Sequence, residues 1–95
     1  MRREDGVESY PIRIADEFIT SLAGITSERL IERIRRGVEL LETFPELGAA
    51  EVRPYLAKKY GPDIRKLAIS TWVLVYRFDG VTVDVLALVY GPQVK

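Results

Sequence analysis

The chain contains no cysteine and no histidine. These absences remove thiol nucleophiles, disulfides, thiolate zinc sites and imidazole general bases, which leaves carboxylate, Lys, Arg, Tyr, Ser and Thr chemistry. Cysteine-free composition fits a cytoplasmic protein. Net charge is also lacking, because 14 Lys and Arg balance 14 Asp and Glu. Without a global field, nucleic-acid binding would need a local basic patch. No apolar run approaches the roughly 18 residues a membrane-spanning helix requires, and the charged opening Met1 to Gly6 is not followed by a signal-like apolar stretch. A soluble cytoplasmic protein without membrane partners is expected. P-loop, G-x-G-x-x-G, G-x-S-x-G and H-E-x-x-H patterns are missing, so nucleotide, dinucleotide and common hydrolase readings have no support. The acidic residues are dispersed, and neither a metal nor a cofactor site is expected.

What is present is enough for one core. Ninety-five residues with 47% hydrophobic and 29% charged side chains make a single domain, and a chain of this length buries about 60–65% of its unfolded surface. A flexible start over residues 1–7 and one domain over 8–95 are expected. Residues 8–14 alternate in the manner of a half-buried strand, and Pro11 confines that strand to a sheet edge. Asp16 is positioned to cap a short helix ending at Gly24. Thr26 or Ser27 can cap a second, whose stripe of Leu30, Ile31, Ile34, Val38 and Leu41 has a period of 3.6 and runs to about Thr43. Its opposite face, including Arg33, Arg35 and Arg36, is either a solvated charged surface or a partner-binding one. Residues 54–60 form a short third helix started by Pro54 and stopped by Gly61-Pro62, or else an extended loop.

The stretch from Ile64 to Tyr90, IRKLAISTWVLVYRFDGVTVDVLALVY, reads as three strands. Asp79-Gly80 marks a tight hairpin, because both residues tolerate positive φ. Trp72, Leu74, Tyr76 and Phe78 alternate with Val73, Val75 and Arg77, and two apolar faces indicate a central strand. Strict alternation then sets Val83, Val85, Ala87 and Val89 against Asp84, Leu86, Leu88 and Tyr90. Helices should cover one face and leave the other partly open. Gln93 to Lys95 is too short for another element. Arg65 and Lys66 fall on opposite faces of their strand, where one of them approaches Arg77 to hold phosphate or to guard an edge. Lys58 and Lys59, beside Tyr55 and Tyr60, form a small basic and aromatic cluster suited to RNA or to packing on the sheet margin.

The order strand, helical hairpin, three strands, with A-D-E-F, F-P-E-L-G, I-R-K-L, W-V-L-V-Y-R-F-D-G and V-D-V-L-A-L-V-Y, resembles the RelE/ParE superfamily of type II toxins, the plasmid-stabilisation type, over residues 8–91. The resemblance implies an α+β fold, β-α-α-(short α or loop)-β-β-β, with a helical hairpin on a mainly antiparallel four-stranded sheet. It implies a cognate antitoxin and, without that partner, exposed apolar surface that would let the chain form a homodimer. In the RelE branch it implies metal-independent mRNA cleavage on the ribosome, and in the ParE branch inhibition of DNA gyrase. RelE-like nucleases usually carry Arg after the aromatic residue that opens the central strand, and here that position is Val73, whose apolar side chain cannot stabilise charge on a scissile phosphate. A reduced catalytic set would be Lys66, Arg77 and Tyr90, with Lys58, Lys59 and Arg65 contacting RNA or another target. A toxin that acts by binding is therefore favoured over a ribosome-dependent interferase. A non-toxic, partner-binding member is the third reading.

Overall fold

The computed structural model describes residues 9–93, so the expected flexible start lies outside the described residues. The elements are β1 (Ile12–Ile14), α1 (Asp16–Ala23), α2 (Glu28–Thr43), α3 (Pro54–Tyr60), β2 (Ile64–Ile69), β3 (Trp72–Phe78), β4 (Val83–Tyr90) and a 3-10 turn (Gly91–Gln93). The sheet order is β1-β4-β3-β2. β1 runs parallel to β4, and the other two pairings are antiparallel. Pro11 lies just before the edge strand, where its carbonyl accepts from Val83 N–H.

α1 and α2 cover one face. Phe18, Ile34 and Leu41 meet Ile69, Leu74, Tyr76, Val83, Val85 and Leu88 in the larger core. The apolar stripe of α2 comes close to β2 at Gly37, where a Cβ would stand 2.8 Å from Ile69 Cδ1. Ser27 Oγ caps α2 by accepting from Leu30 N–H at 3.2 Å. α1 differs from the sequence expectation: Asp16 is its first helical residue, and the capping position is Ala15, without a side-chain bond. Asp16 and Glu17 instead place negative charge in the first turn, where the helix dipole favours it.

Three local features depart from simple patterning. First, the register slips at Val75/Tyr76, which oppose Ala87 and Val85, so Leu86 is an extra residue in β4. This bulge flips the alternation: Val83, Val85 and Leu88 join the larger core, whereas Ala87 and Val89 turn to the other face. Second, the β3–β4 connection spans Asp79 to Thr82 instead of a two-residue turn, and only Gly80 has a positive φ, of 95°. The Asp79 carboxylate supplies the closure, accepting from the N–H groups of Val81 and Thr82 at 2.8 Å each. Third, Gln93 is not a free tail but the end of the 3-10 turn.

The α2–α3 connection is held by Tyr76, which has no exposed surface. Its hydroxyl donates to the Pro45 carbonyl at 2.7 Å and accepts from Gly48 N–H at 2.8 Å. Burial pushes the Tyr76 phenol up from its ordinary pKa, with the Gly48 bond opposing, so it stays a neutral donor. Gly48 leaves room for this contact, because a Cβ there would lie 2.5 Å from the Lys66 carbonyl and 2.8 Å from the Tyr76 ring.

Tyr76→Phe leaves the Pro45 carbonyl and the Gly48 N–H without their partner and is expected to cost about 1–3 kcal/mol in urea unfolding. A loss indistinguishable from zero would contradict the anchoring role. Asp79 makes a pH-dependent contribution. The N–H groups of Thr82 and Val81 hold its carboxyl below the usual range, so its stabilisation is present above the unfolded pKa and lost as pH falls through the folded one. Thermal melts should show Asp79→Asn less stable than wild type near about pH 7, with the gap closing near about pH 2.

Candidate target-binding surface

The second face of the sheet is covered by α3. Pro54 pre-sets the first turn of this helix, and Gly61, at φ 107°, ends it with its N–H on the Ala57 carbonyl. Leu56 from α3 packs with Ile64, Val75 and Ala87 in a separate buried cluster, and Val73, Leu86 and Val89 lie against it. The short helix is therefore formed, not the loop alternative, and it buries the middle of a face that is otherwise partly open, with Val73, Leu86 and Val89 half-buried and Ala68 exposed. Val73 sits at the margin of that cluster, in surroundings suited to a hydrocarbon side chain.

Each candidate side chain has a definite place. Arg65 lies across the ladder from Tyr76 and donates to the carbonyls of Gly48 at 2.8 Å and Glu46 at 3.4 Å, bracing the same loop that Tyr76 holds. Arg77 donates to Asp63 at 3.2 Å and to the Tyr60 carbonyl at 2.8 Å, tying the end of α3 to β3. Lys66 opposes Val75 and so shares the α3 face with Arg77, two ladder positions away. Arg65 is on the helical-hairpin face. Lys58 and Lys66 have no ion partner among the described residues, whereas Lys59 lies 3.8 Å from Glu17 and 5.3 Å from the Tyr60 ring centroid. Tyr90 stacks edge-on against Trp72, with centroids 5.3 Å apart, on the side opposite Lys66 and Arg77. The bulge at Leu86 puts it there, so Lys66, Arg77 and Tyr90 are not brought into one cluster.

A groove of about 370 Å³ gathers a different set: Tyr55, Lys59, Tyr60, Trp72 and Tyr90, with Glu17 at its edge. α1 and α3 meet here, because the Tyr60 hydroxyl donates to Glu17. Burial and the Glu17 carboxylate both raise the Tyr60 pKa, so the phenol is a fixed donor and not a base. Aromatic faces beside one lysine equip the groove to bind a flat or extended surface by stacking and packing. Among the described residues, no group of three Asp or Glu side chains is arranged to hold a metal ion. Sequence reasoning missed Glu17, Trp72 and the link between α1 and α3. No local pattern announces a contact between residues 43 positions apart.

If α3 is the lid of a genuine second core, Leu56→Ala should cost about 2–4 kcal/mol in chemical unfolding. Lys66→Ala, at a position with no ion partner, should stay within about 0.5 kcal/mol of wild type. Equal effects of the two substitutions would contradict this placement.

Comparison with known proteins gives a consistent picture. The fold is similar to that in the intact E. coli RelBE toxin-antitoxin complex, with TM-score 0.65, 18% identity, 85% of this chain and 95% of the other covered. It is similar to the archaeal RelE-RelB complex from Pyrococcus horikoshii OT3, with TM-score 0.61, 14% identity and coverage of 90% and 98%. The chromosomal ParDE system of P. aeruginosa gives TM-score 0.62, 14% identity and coverage of 86% and 96%. No curated protein sequence matches. No helix among the described residues is long and apolar enough to cross a membrane. The profile of the ParE toxin of the type II toxin-antitoxin system, parDE, matches residues 12–93, from β1 through the closing 3-10 turn. The chain therefore belongs to the ParE toxin family of type II toxin-antitoxin systems, within the RelE/ParE superfamily.

Proposed function

We propose that this toxin acts by binding a macromolecular target, in the ParE manner, and that a cognate antitoxin neutralises it. One observation carries the preference for binding over RNA cleavage: on the sheet face that bears Lys66, Val73 and Arg77, α3 seats Leu56 in an apolar cluster with Val75 and Ala87. Arg77 is already committed to Asp63 and the Tyr60 carbonyl. Stabilising a developing phosphate charge requires preorganised donors aimed at an accessible site, and an apolar cluster supplies none. The groove of Tyr55, Trp72 and Tyr90 is the surface best equipped to meet a target protein, and DNA gyrase is the target this reading names. Leu40, Phe44 and Leu47 are exposed apolar side chains at and just beyond the end of α2. They offer area for an antitoxin to cover or, without it, for a homodimer to form.

A second reading, ribosome-dependent mRNA cleavage, draws on Lys58 and Lys66, which have no ion partner among the described residues and are available to a phosphate backbone. The two readings divide in a supercoiling assay. The purified chain should inhibit DNA gyrase, and Tyr55→Ala with Tyr90→Ala should weaken inhibition by about tenfold or more, since buried aromatic anchors dominate interfaces. In cells, expression of the chain alone should arrest growth, and the product of the adjacent open reading frame should relieve the arrest. Undisturbed growth at high soluble expression would refute a toxin and leave a non-toxic partner-binding protein.

A further inference from the structure

A further concavity lies at the end of α2, apart from the groove of Tyr55 and Tyr90. Its volume is about 500 Å³, and Tyr10, Phe44 and Phe78 line it together with Glu46 and Leu47. Tyr10 and Phe78 meet edge to face, with centroids 5.0 Å apart and planes at 74°, so they stand as two nearly perpendicular walls. Tyr10 is fixed to the helix end, because its N–H donates to the Glu42 carbonyl at 2.9 Å. Phe44 is 56% exposed and belongs to neither buried cluster, so core packing gives no reason for an aromatic ring at this position.

The pocket carries charge of one sign. No lysine or arginine among the described residues lines it. The Glu46 carboxylate has no ion partner among the described residues: Arg65 reaches only the Glu46 carbonyl, at 3.4 Å, and is held by the Gly48 carbonyl at 2.8 Å. α2 ends here without a basic residue in its last turn, so the negative end of its dipole is not offset by its own side chains. Aromatic faces, a carboxylate and a helix C-terminus all favour positive charge and disfavour an anion.

We propose that this pocket binds a free small organic cation of the alkylated ammonium class. The cation sets its alkyl groups against Tyr10, Phe44 and Phe78, with Glu46 beside its charge. Such a cation suits the site because it presents apolar surface to the rings and to Leu47 while its charge needs no hydrogen-bond acceptors. A compact, strongly hydrated ammonium would lose water that one carboxylate cannot replace. A neutral apolar molecule would cover Glu46 without compensating it. The volume falls within the roughly 300–1,000 Å³ of small-molecule sites, which is room for a whole molecule and not only the tip of a side chain. The inference holds whichever macromolecule the toxin inhibits. Phe44 and Leu47 are also among the apolar side chains open to an antitoxin, so the free chain is the form to test.

The test is an NMR titration of the full chain with choline, beside its neutral carbon isostere, in which a tert-butyl group replaces trimethylammonium. Choline should bind saturably, with its methyl protons shifted upfield by the rings, and about tenfold or more tightly than the isostere. Phe44→Leu, which keeps apolar bulk and removes the ring, should weaken choline binding by about fivefold or more, whereas Phe44→Tyr should retain it. Glu46→Gln should weaken it by about threefold or more. Glu51→Gln, the same change at an exposed position outside the pocket, should leave binding unchanged, and thermal melts establish that each variant is folded. A peptide carrying trimethyl-lysine distinguishes a protein-borne cation from a free one, and it should bind no more tightly than choline. Absence of saturable choline binding, equal binding of the isostere, undiminished binding to the Phe44→Leu and Glu46→Gln variants, or a clear preference for the peptide would overturn the proposal.

Discussion

Burial of β3 from both sides is the constraint on which the rest of the molecule depends. Leu74, Val75 and Tyr76 are consecutive, and none exposes any surface. Successive strand residues point to opposite faces, so both faces of the sheet must be covered. α1 and α2 supply one cover over Leu74 and Tyr76, and α3, with Leu56, supplies the other over Val75. A seven-residue helix has little intrinsic stability, so α3 exists because β3 offers it an apolar floor. The Tyr76 hydroxyl, the polar side-chain group among the fully buried described residues of the larger cluster, has both a donor and an acceptor partner.

That arrangement directs how the charged side chains are used. Arg65 braces the loop after α2, Arg77 fastens the end of α3, and Arg13 joins β1 to β4 through Asp84 at 2.7 Å. Among the described residues, the cations not engaged in an ion pair or side-chain hydrogen bond, Arg29, Arg33, Arg53, Lys58 and Lys66, are spread over α2, the start and body of α3, and β2. A protein built this way recognises surfaces more readily than it stabilises a reacting phosphate. Its two distinctive surfaces, the aromatic groove between α1 and α3 and the pocket at the end of α2, are recognition features.

Much of the fold was legible because its periodicities are clean. The 3.6-residue stripe of α2, the two-sided apolar pattern of β3 and the Pro54 to Gly61 brackets of α3 each state one structural solution. Pro11 likewise marked the edge position. The β4 alternation failed because Leu86, Ala87, Leu88 and Val89 are apolar in either register, so a bulge leaves no trace in hydrophobic pattern. The Asp79 turn was misread in length because Asp serves two purposes, a left-handed turn residue and a side-chain acceptor for the following N–H groups, and here it serves the second. The candidate site was less legible still. Tyr90 was placed by that hidden bulge, and Arg65 and Arg77 were absorbed by backbone carbonyls of segments distant in sequence.

Programmed ribosomes offer the most direct test of whether the apolar face under α3 takes part in RNA chemistry. Purified chain would be incubated with ribosomes holding a defined message, and every codon would be scanned by primer extension. Intact message at all positions is the predicted result. Cleavage within the ribosome-bound codon that disappears in Lys66→Ala would contradict it, because it would give that face a catalytic role.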